Sequence, residues 1–375
     1  MLAFPPLANE TSILLPGNWP TVRINYVTPH WWQQLVQLIN PAGAVLVWEA
    51  CNYSLFAAAF TIIQAYRPAA QVWTVNSQMT QHYRESFVST TKTDEMDARA
   101  LALIGCDIVN GKHVRNVRQF IFPTDLAVHR LRLYVNTYMR LKKDYTRTQN
   151  RISSLGHTLY PSFAGSQTWL RAVRLGFISP RQVRHLASMQ PPHKHYAPKT
   201  LSHLKRLAKK LPDYDGDECI LEAIRGLDRT LQIIEEELES VLEKIRSLIN
   251  GPPFELVTKR WRTLPYNSDI YIAAFHVASN GRVLEYTKNQ FRAAVGASPN
   301  IGYSGTTSKR MGNRLGYKPA KWSLFMWTFG LLNNQSPDNI VRTYYEQGRT
   351  FAAARNKLSR VLWGVARNNR LDNHM

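Results

Sequence analysis

Acidic residues are scarce in this chain: 26 Asp and Glu stand against 47 Lys and Arg over 375 residues, a formal charge of +21. A polyanionic partner is the first expectation, because clustered Arg and Lys release counterions from a phosphate backbone. The basic residues are interleaved with aromatics rather than gathered in one polybasic tail, which favours nucleic acid over an anionic lipid surface. Cysteine is also sparse. Cys51, Cys106 and Cys219 are widely spaced and lack metal-ligand spacing, which excludes a disulfide-stapled scaffold and leaves reduced cytosolic thiols. Long hydrophobic runs are missing. No basic segment followed by an apolar one opens the chain, and the most apolar stretch, Tyr53 to Tyr66, is too short to span a bilayer. The expectation is a soluble, cytoplasmic protein without a membrane segment, and no long internal repeat or low-complexity tract interrupts it.

What is present divides into three textures, enough chain for two or three domains. Residues 1–120 read as an α/β layer domain. A hairpin is expected from Ser12–Leu15 and Val22–Val27 around a Pro-Gly-Asn turn, then a helix from Trp31 to Ile39. The continuous apolar run 44–48 reads as a buried strand. An apolar helix over Ser54–Ala65 and a second buried strand over Gln71–Val75 follow. Residues 121–253 are helical and basic. Val128, Leu131, Val135, Tyr138, Tyr145 and Ile152 space one helix, which carries Arg140, Lys142, Lys143 and Arg147. Ile224, Leu227, Leu231, Ile234, Leu238, Val241, Ile245 and Leu248 keep strict 3-4 spacing, the seam of a coiled coil or of a bundle helix. It can close on the earlier helix as an antiparallel hairpin or on another subunit. Residues 254–375 read as a mainly helical region. Within it the Gly- and hydroxyl-rich segment Ala297–Arg310 is expected to be an exposed loop, and Tyr344 to about Arg367 one basic helix.

Three carboxylates stand where chemistry is possible. Glu49 follows a buried strand, and open α/β sheets place their sites at carboxyl strand ends. Asp94 and Asp97 sit three apart where a loop turns into a helix, so both can project from one face of its first turn. Asp94 can equally serve as an N-cap, and Asp97 favours the positive end of the helix dipole. Three hard oxygen ligands suit one or two Mg²⁺ ions that orient a phosphate. Ser304 lies in a glycine-flanked loop followed by Lys309, Arg310 and Arg314. It can attack a phosphodiester whose developing charge those cations neutralise, or simply contact phosphate.

The order Glu49-Ala50-Cys51-Asn52-Tyr53, then Lys92-Thr93-Asp94-Glu95-Met96-Asp97-Ala98-Arg99-Ala100-Leu101-Ala102, then a long basic helix, then Gly296-Ala297-Ser298-Pro299 through Tyr303-Ser304-Gly305 resembles the DEDD-type insertion-sequence transposases related to Piv invertase. The resemblance covers most of the chain, and the Lys92–Ala102 stretch is its most specific part. It implies an RNase H-like (RuvC-like) catalytic domain over 1–120, a coiled-coil linker over 121–253 and a C-terminal transposase domain over 254–375. Glu49, Asp94 and Asp97 match the second, third and fourth acidic Mg²⁺ ligands, and Ser304 matches the nucleophilic serine. The implied function is DNA transposition or site-specific recombination guided by a structured bridge RNA, in a dimer or tetramer. The sequence departs from the family at the front. Members carry the first aspartate in an opening strand, whereas residues 1–48 here contain no aspartate, and Glu10 is their sole acid. That departure implies an incomplete and weakened metal site, or a start that is truncated or diverged. It keeps two alternatives open: a RuvC-like nuclease acting by water attack, and a catalytically weakened binder of RNA or DNA.

Overall fold

A strand, helix, strand unit governs the N-terminal layer. In this computed structural model, residues 2–3, 21–22, 29–40, 43–49, 53–75, 77–85, 94–110, 125–159, 167–174, 176, 179, 181–183, 185, 215–297, 300–304, 307–311, 316–333 and 339–367 are described. Backbone alone is described at 2–3, 21–22, 53–57, 77–79, 94, 167–168, 171, 300–304 and 307–311. The expected buried strands are β3 (Val45–Glu49) and β4 (Gln71–Val75), joined by α2 (Tyr53–Tyr66). They pair in parallel, Val47 opposite Trp73 and Glu49 opposite Val75. Parallel neighbours require a crossover, and α2 supplies it.

Successive strand residues face opposite ways. Leu46, Trp48 and Val72 pack with Leu35 of α1 (Trp31–Leu38) and with Phe60 and Ile63 of α2. Val47 and Val75 pack with Leu101, Ile104 and Ile108 of α4 (Asp94–Val109) and with Tyr83 of α3 (Ser77–Arg84). Helices therefore cover both faces, which explains why β3 reads as an unbroken apolar run. Gly105 brings α4 close: a Cβ there would stand 3.4 Å from Val47 Cγ2. Of the expected hairpin only Thr21 and Val22 are described. They form β2 (Thr21–Val22), which pairs antiparallel with β1 (Leu2–Ala3); Ser12–Leu15 lie outside the described residues.

Leu133–Ser247 form one compact unit, and Met1–Arg132 with Leu248–Met375 form the other. Within the first, α5 (Leu126–Leu159) and α7 (Glu218–Ile249) run antiparallel. Lys244 Nζ lies 5.8 Å over the Tyr134 ring, the Tyr145 hydroxyl donates to Glu235 Oε1 at 2.9 Å, and Leu159 shares a cluster with Leu221. Positions fall on α7 as they rise on α5. The 3-4 seam thus meets α5 of the same chain. Trp169 and Val173 of α6 (Gln167–Arg174) close the core over Ile152, Ile224 and Leu231.

The described residues after 250 include α8 (Glu255–Arg262), α9 (Asp269–Ala278), α10 (Lys288–Ala294) and α11 (Lys318–Asn333). Trp261, Phe275, Phe291 and Trp327 are fully buried, each contributing roughly 2–3 kcal/mol of transfer free energy. Their indoles find carbonyls: Trp261 Nε1 donates to Leu362 O and Trp327 Nε1 to Pro265 O, both at 2.8 Å. His276 is buried beside them, its Nε2 2.9 Å from Thr258 Oγ1, and burial pushes its pKa down to about 3. Among the described residues no helix is long and apolar enough to cross a membrane.

Two C-terminal expectations are corrected. The segment read as a loop holds an antiparallel pair, β5 (Asn300–Ser304) and β6 (Thr307–Met311), with Ser304 opposite Thr307. Residues 305 and 306, between the strands, lie outside the described residues. The single basic helix is two, α12 (Ile340–Glu346) and α13 (Phe351–Arg367). Gly348 at φ +76° ends the first. Thr350 caps the second, its hydroxyl accepting from Ala353 N at 3.3 Å.

Candidate active site

Glu49 closes β3, on the same face as Val47 and its register partner Val75, and so on the side covered by α4. It is half-buried, and among the described residues no hydrogen bond or ion pair answers it. An unmatched carboxylate in that position favours an arriving cation. Asp97 lies in the first turn of α4, four and seven residues before Leu101 and Ile104, on the stripe that meets the sheet. Its side chain is 20% exposed, and Oδ1 accepts from Arg84 Nη1 of α3 at 2.5 Å. Oδ2 has no partner among the described residues.

The intervening Glu95 pairs with Arg99 one turn on. The Tyr83 hydroxyl donates to Asp107 Oδ2 at 2.8 Å; burial first, and then the Asp107 hydrogen bond and charge, raise its pKa. Two polar links, Arg84–Asp97 and Tyr83–Asp107, therefore fix α3 against α4. Asp94 opens α4, and its side chain lies outside the described residues. Among the described residues no group of three or more His, Cys, Asp or Glu is placed to hold a metal ion. The donors present are nonetheless of the right kind: Glu49 and Asp97 offer hard oxygens to Mg²⁺. Arg84, which no sequence motif points to, already neutralises part of that charge.

Ser304 ends β5, Lys309 lies opposite Gly302 and Arg310 opposite Ile301; their side chains and the whole of Arg314 lie outside the described residues. Among the described residues β5 and β6 pack chiefly on each other. Arg140, Lys142 and Lys143 are exposed on α5. Lys142 Nζ lies 4.7 Å over the Tyr145 ring, and Arg147 is answered locally by Asp144 at 3.1 Å. The first turns of α5 connect the α/β layer to the C-terminal helices. His129 meets Phe60 of α2 edge-on at 6.1 Å, and the Arg132 guanidinium lies 5.9 Å over Tyr317, just before α11. Burial, and then the Arg132 charge, lower the His129 pKa to about 4.

The class so defined is a mixed α/β N-terminal layer with carboxylates at a strand end and on the facing helix, joined to helical C-terminal elements. Residues 57–161 match the family model DEDD_Tnp_IS110, described as a transposase. The matched segment contains Asp94 and Asp97; Glu49 and Ser304 lie outside it. No curated protein matches the chain.

Proposed function

We propose that the protein is a DNA recombinase of the transposase class, guided by a bridge RNA, in which Glu49, Asp94 and Asp97 hold Mg²⁺ and Ser304 is the nucleophile. One observation supports this reading: a half-buried Glu49, unpartnered among the described residues, faces the helix whose first turn presents Asp97, one of whose oxygens is unpartnered among the same residues. Residues 1–120 then serve as an RNase H-like catalytic domain, 121–253 as a coiled-coil linker and 254–375 as the transposase domain, in a cytoplasmic dimer or tetramer. A divalent ion bound by the carboxylates supplies charge neutralisation at a scissile phosphate. Glu49 and Asp97 orient that phosphate, and Arg84 holds Asp97 in position until the ligand arrives. The Ser304 hydroxyl forms an Oγ–P bond as a P–O bond of the strand breaks. Its proton passes to solvent and the departing strand oxygen is protonated. Lys309, Arg310 and Arg314 balance the phosphate charge, and the exposed cations Arg140, Lys142, Lys143 and Arg147 of α5 hold the DNA or RNA backbone.

The absence of aspartate from residues 1–48 favours a second reading, a catalytically weakened binder of RNA or DNA, beside a RuvC-like nuclease acting by water attack. One experiment separates these. Purified wild type is incubated with element-end DNA, bridge RNA and Mg²⁺, and covalent protein–DNA adducts are resolved on denaturing gels. The proposal expects an adduct lost in both Ser304→Ala and Asp97→Asn. Free cleaved ends without an adduct indicate water attack, and an adduct that survives Ser304→Ala rejects the nucleophile. Salt-dependent binding with no cleavage identifies a binder.

A further inference from the structure

Arg292 of α10 and Arg360 of α13 come close where these helices pack, and neither has an acidic partner among the described residues. Among the described residues Arg292 has two long bonds, to Asn289 Oδ1 and Asn356 Oδ1, each 3.3 Å. Its Nε is buried with no partner among the described residues. Burial, and then the Arg360 charge, hold its pKa below the ordinary value. On α13, Asn356, Arg360, Trp363 and Arg367 follow each other by four, three and four residues, so they share one stripe. Trp363 Nε1 donates to Tyr286 O at 2.9 Å, which fixes the indole against the residue leading into α10. The Arg367 guanidinium lies 5.0 Å over that indole.

The result is a row of guanidinium groups, one of them half-buried, with amide and indole neighbours and, among the described residues, no carboxylate paired to Arg292 or Arg360. Like charges so arranged repel. Planar guanidinium forks match phosphate oxygens in pairs. We propose that Arg292, Arg360 and Arg367 form a binding groove for the phosphate backbone of a nucleic acid, separate from the β5–β6 cations and from those of α5. This rests on the reading of the chain as a nucleic-acid enzyme and adds where, in its C-terminal helices, a strand is held.

Binding of the full-length protein to duplex DNA, single-stranded DNA and a folded RNA is measured by fluorescence anisotropy across a range of KCl concentrations. The double variant Arg292→Gln/Arg360→Gln is expected to flatten the slope of log K against log salt by about 2 on the nucleic acid that occupies the groove. The exposed single variant Arg360→Gln is expected to flatten it by about 1. Arg292→Lys/Arg360→Lys, which keeps the charge, retains most of the slope, and Arg349→Gln, outside the stripe, leaves it unchanged. Thermal melting verifies that each variant is folded. Wild-type binding with an unchanged slope in both Gln variants overturns the groove and leaves the recombinase reading standing. No binding of any of the three nucleic acids by wild type overturns both.

Discussion

The acid-bearing face of α4 and the arginine stripe of α13 treat charge in opposite ways. On α4 the described acids are mostly answered from within the protein: Asp97 by Arg84, Glu95 by Arg99 and Asp107 by Tyr83. On α13, Arg360 faces Arg292 and neither has a carboxylate partner among the described residues. Internal pairing of partly exposed groups contributes modestly to stability, about 0–1 kcal/mol per pair, but it holds side chains in register. Unanswered charge of one sign contributes nothing favourable until a partner of opposite sign arrives. The first arrangement preserves a geometry, and the second waits for a ligand. Glu49 is the exception on the acidic side, since nothing among the described residues answers it, and it is therefore the strongest pointer to a bound cation.

The largest expected effect tests the acidic face. Glu49→Gln or Asp97→Asn should each lower DNA cleavage on the order of 10²–10³-fold, as removal of one preorganised electrostatic group does, with duplex binding affinity little changed. A loss of binding equal to the loss of cleavage in a filter-binding assay would mean that these residues only support the fold. The next effect concerns the support shared by both regions. Gly281 has φ +72°, and a Cβ there would stand 2.8 Å from Val128 Cγ2 in the first turn of α5. Gly281→Ala should lower unfolding stability by about 2–4 kcal/mol in urea titration, from backbone strain and overpacking together; a cost below 0.5 kcal/mol would show that α5 can shift freely.

A region with neither pattern provides the next contrast. His276 is buried neutral among aromatics, and its folded pKa of about 3 lies below the ordinary 6.5. Between those values the unfolded chain binds more protons than the folded one. Stability is therefore fully present above pH 6.5 and falls as pH drops toward 3, by at most about 1.4 kcal/mol per pH unit. Melting curves of His276→Phe should show a shallower acid slope than wild type, and identical slopes would assign the acid sensitivity to other groups. The smallest effect sharpens the role of Arg84. Arg84 holds Asp97 until a cation displaces it, so Arg84→Gln should tighten Mn²⁺ binding about 5–10-fold, roughly 1 kcal/mol. Weaker binding in titration calorimetry would make Arg84 a support of the site rather than a competitor.

Much of the N-terminal layer was legible because its signals are local. An unbroken Val45–Trp48 run has few structural outcomes, and Glu49 follows directly from it. The placement of Asp97 on the sheet-facing stripe likewise follows from its spacing to Leu101 and Ile104. Arg84 was not legible: its bond to Asp97 spans thirteen residues and depends on how α3 lies against α4, which no periodicity encodes. The β5–β6 pair was hidden by composition, since glycine and hydroxyl residues suggest a loop. The division of α12 from α13 could have been read from Gly348 and Thr350, a stop and a start within three residues. The choice of α5 as partner for the 3-4 seam needed the aligned pairs Tyr145–Glu235 and Tyr134–Lys244, which only three dimensions supply.

The central claim is that the β3–α4 face takes a divalent cation. Electron paramagnetic resonance of Mn²⁺ titrated into wild type, Glu49→Gln and Asp97→Asn measures this without any nucleic acid or turnover. The account predicts that bound Mn²⁺ appears in wild type and is lost or weakened at least about tenfold in both variants. Equal binding by all three proteins would contradict it.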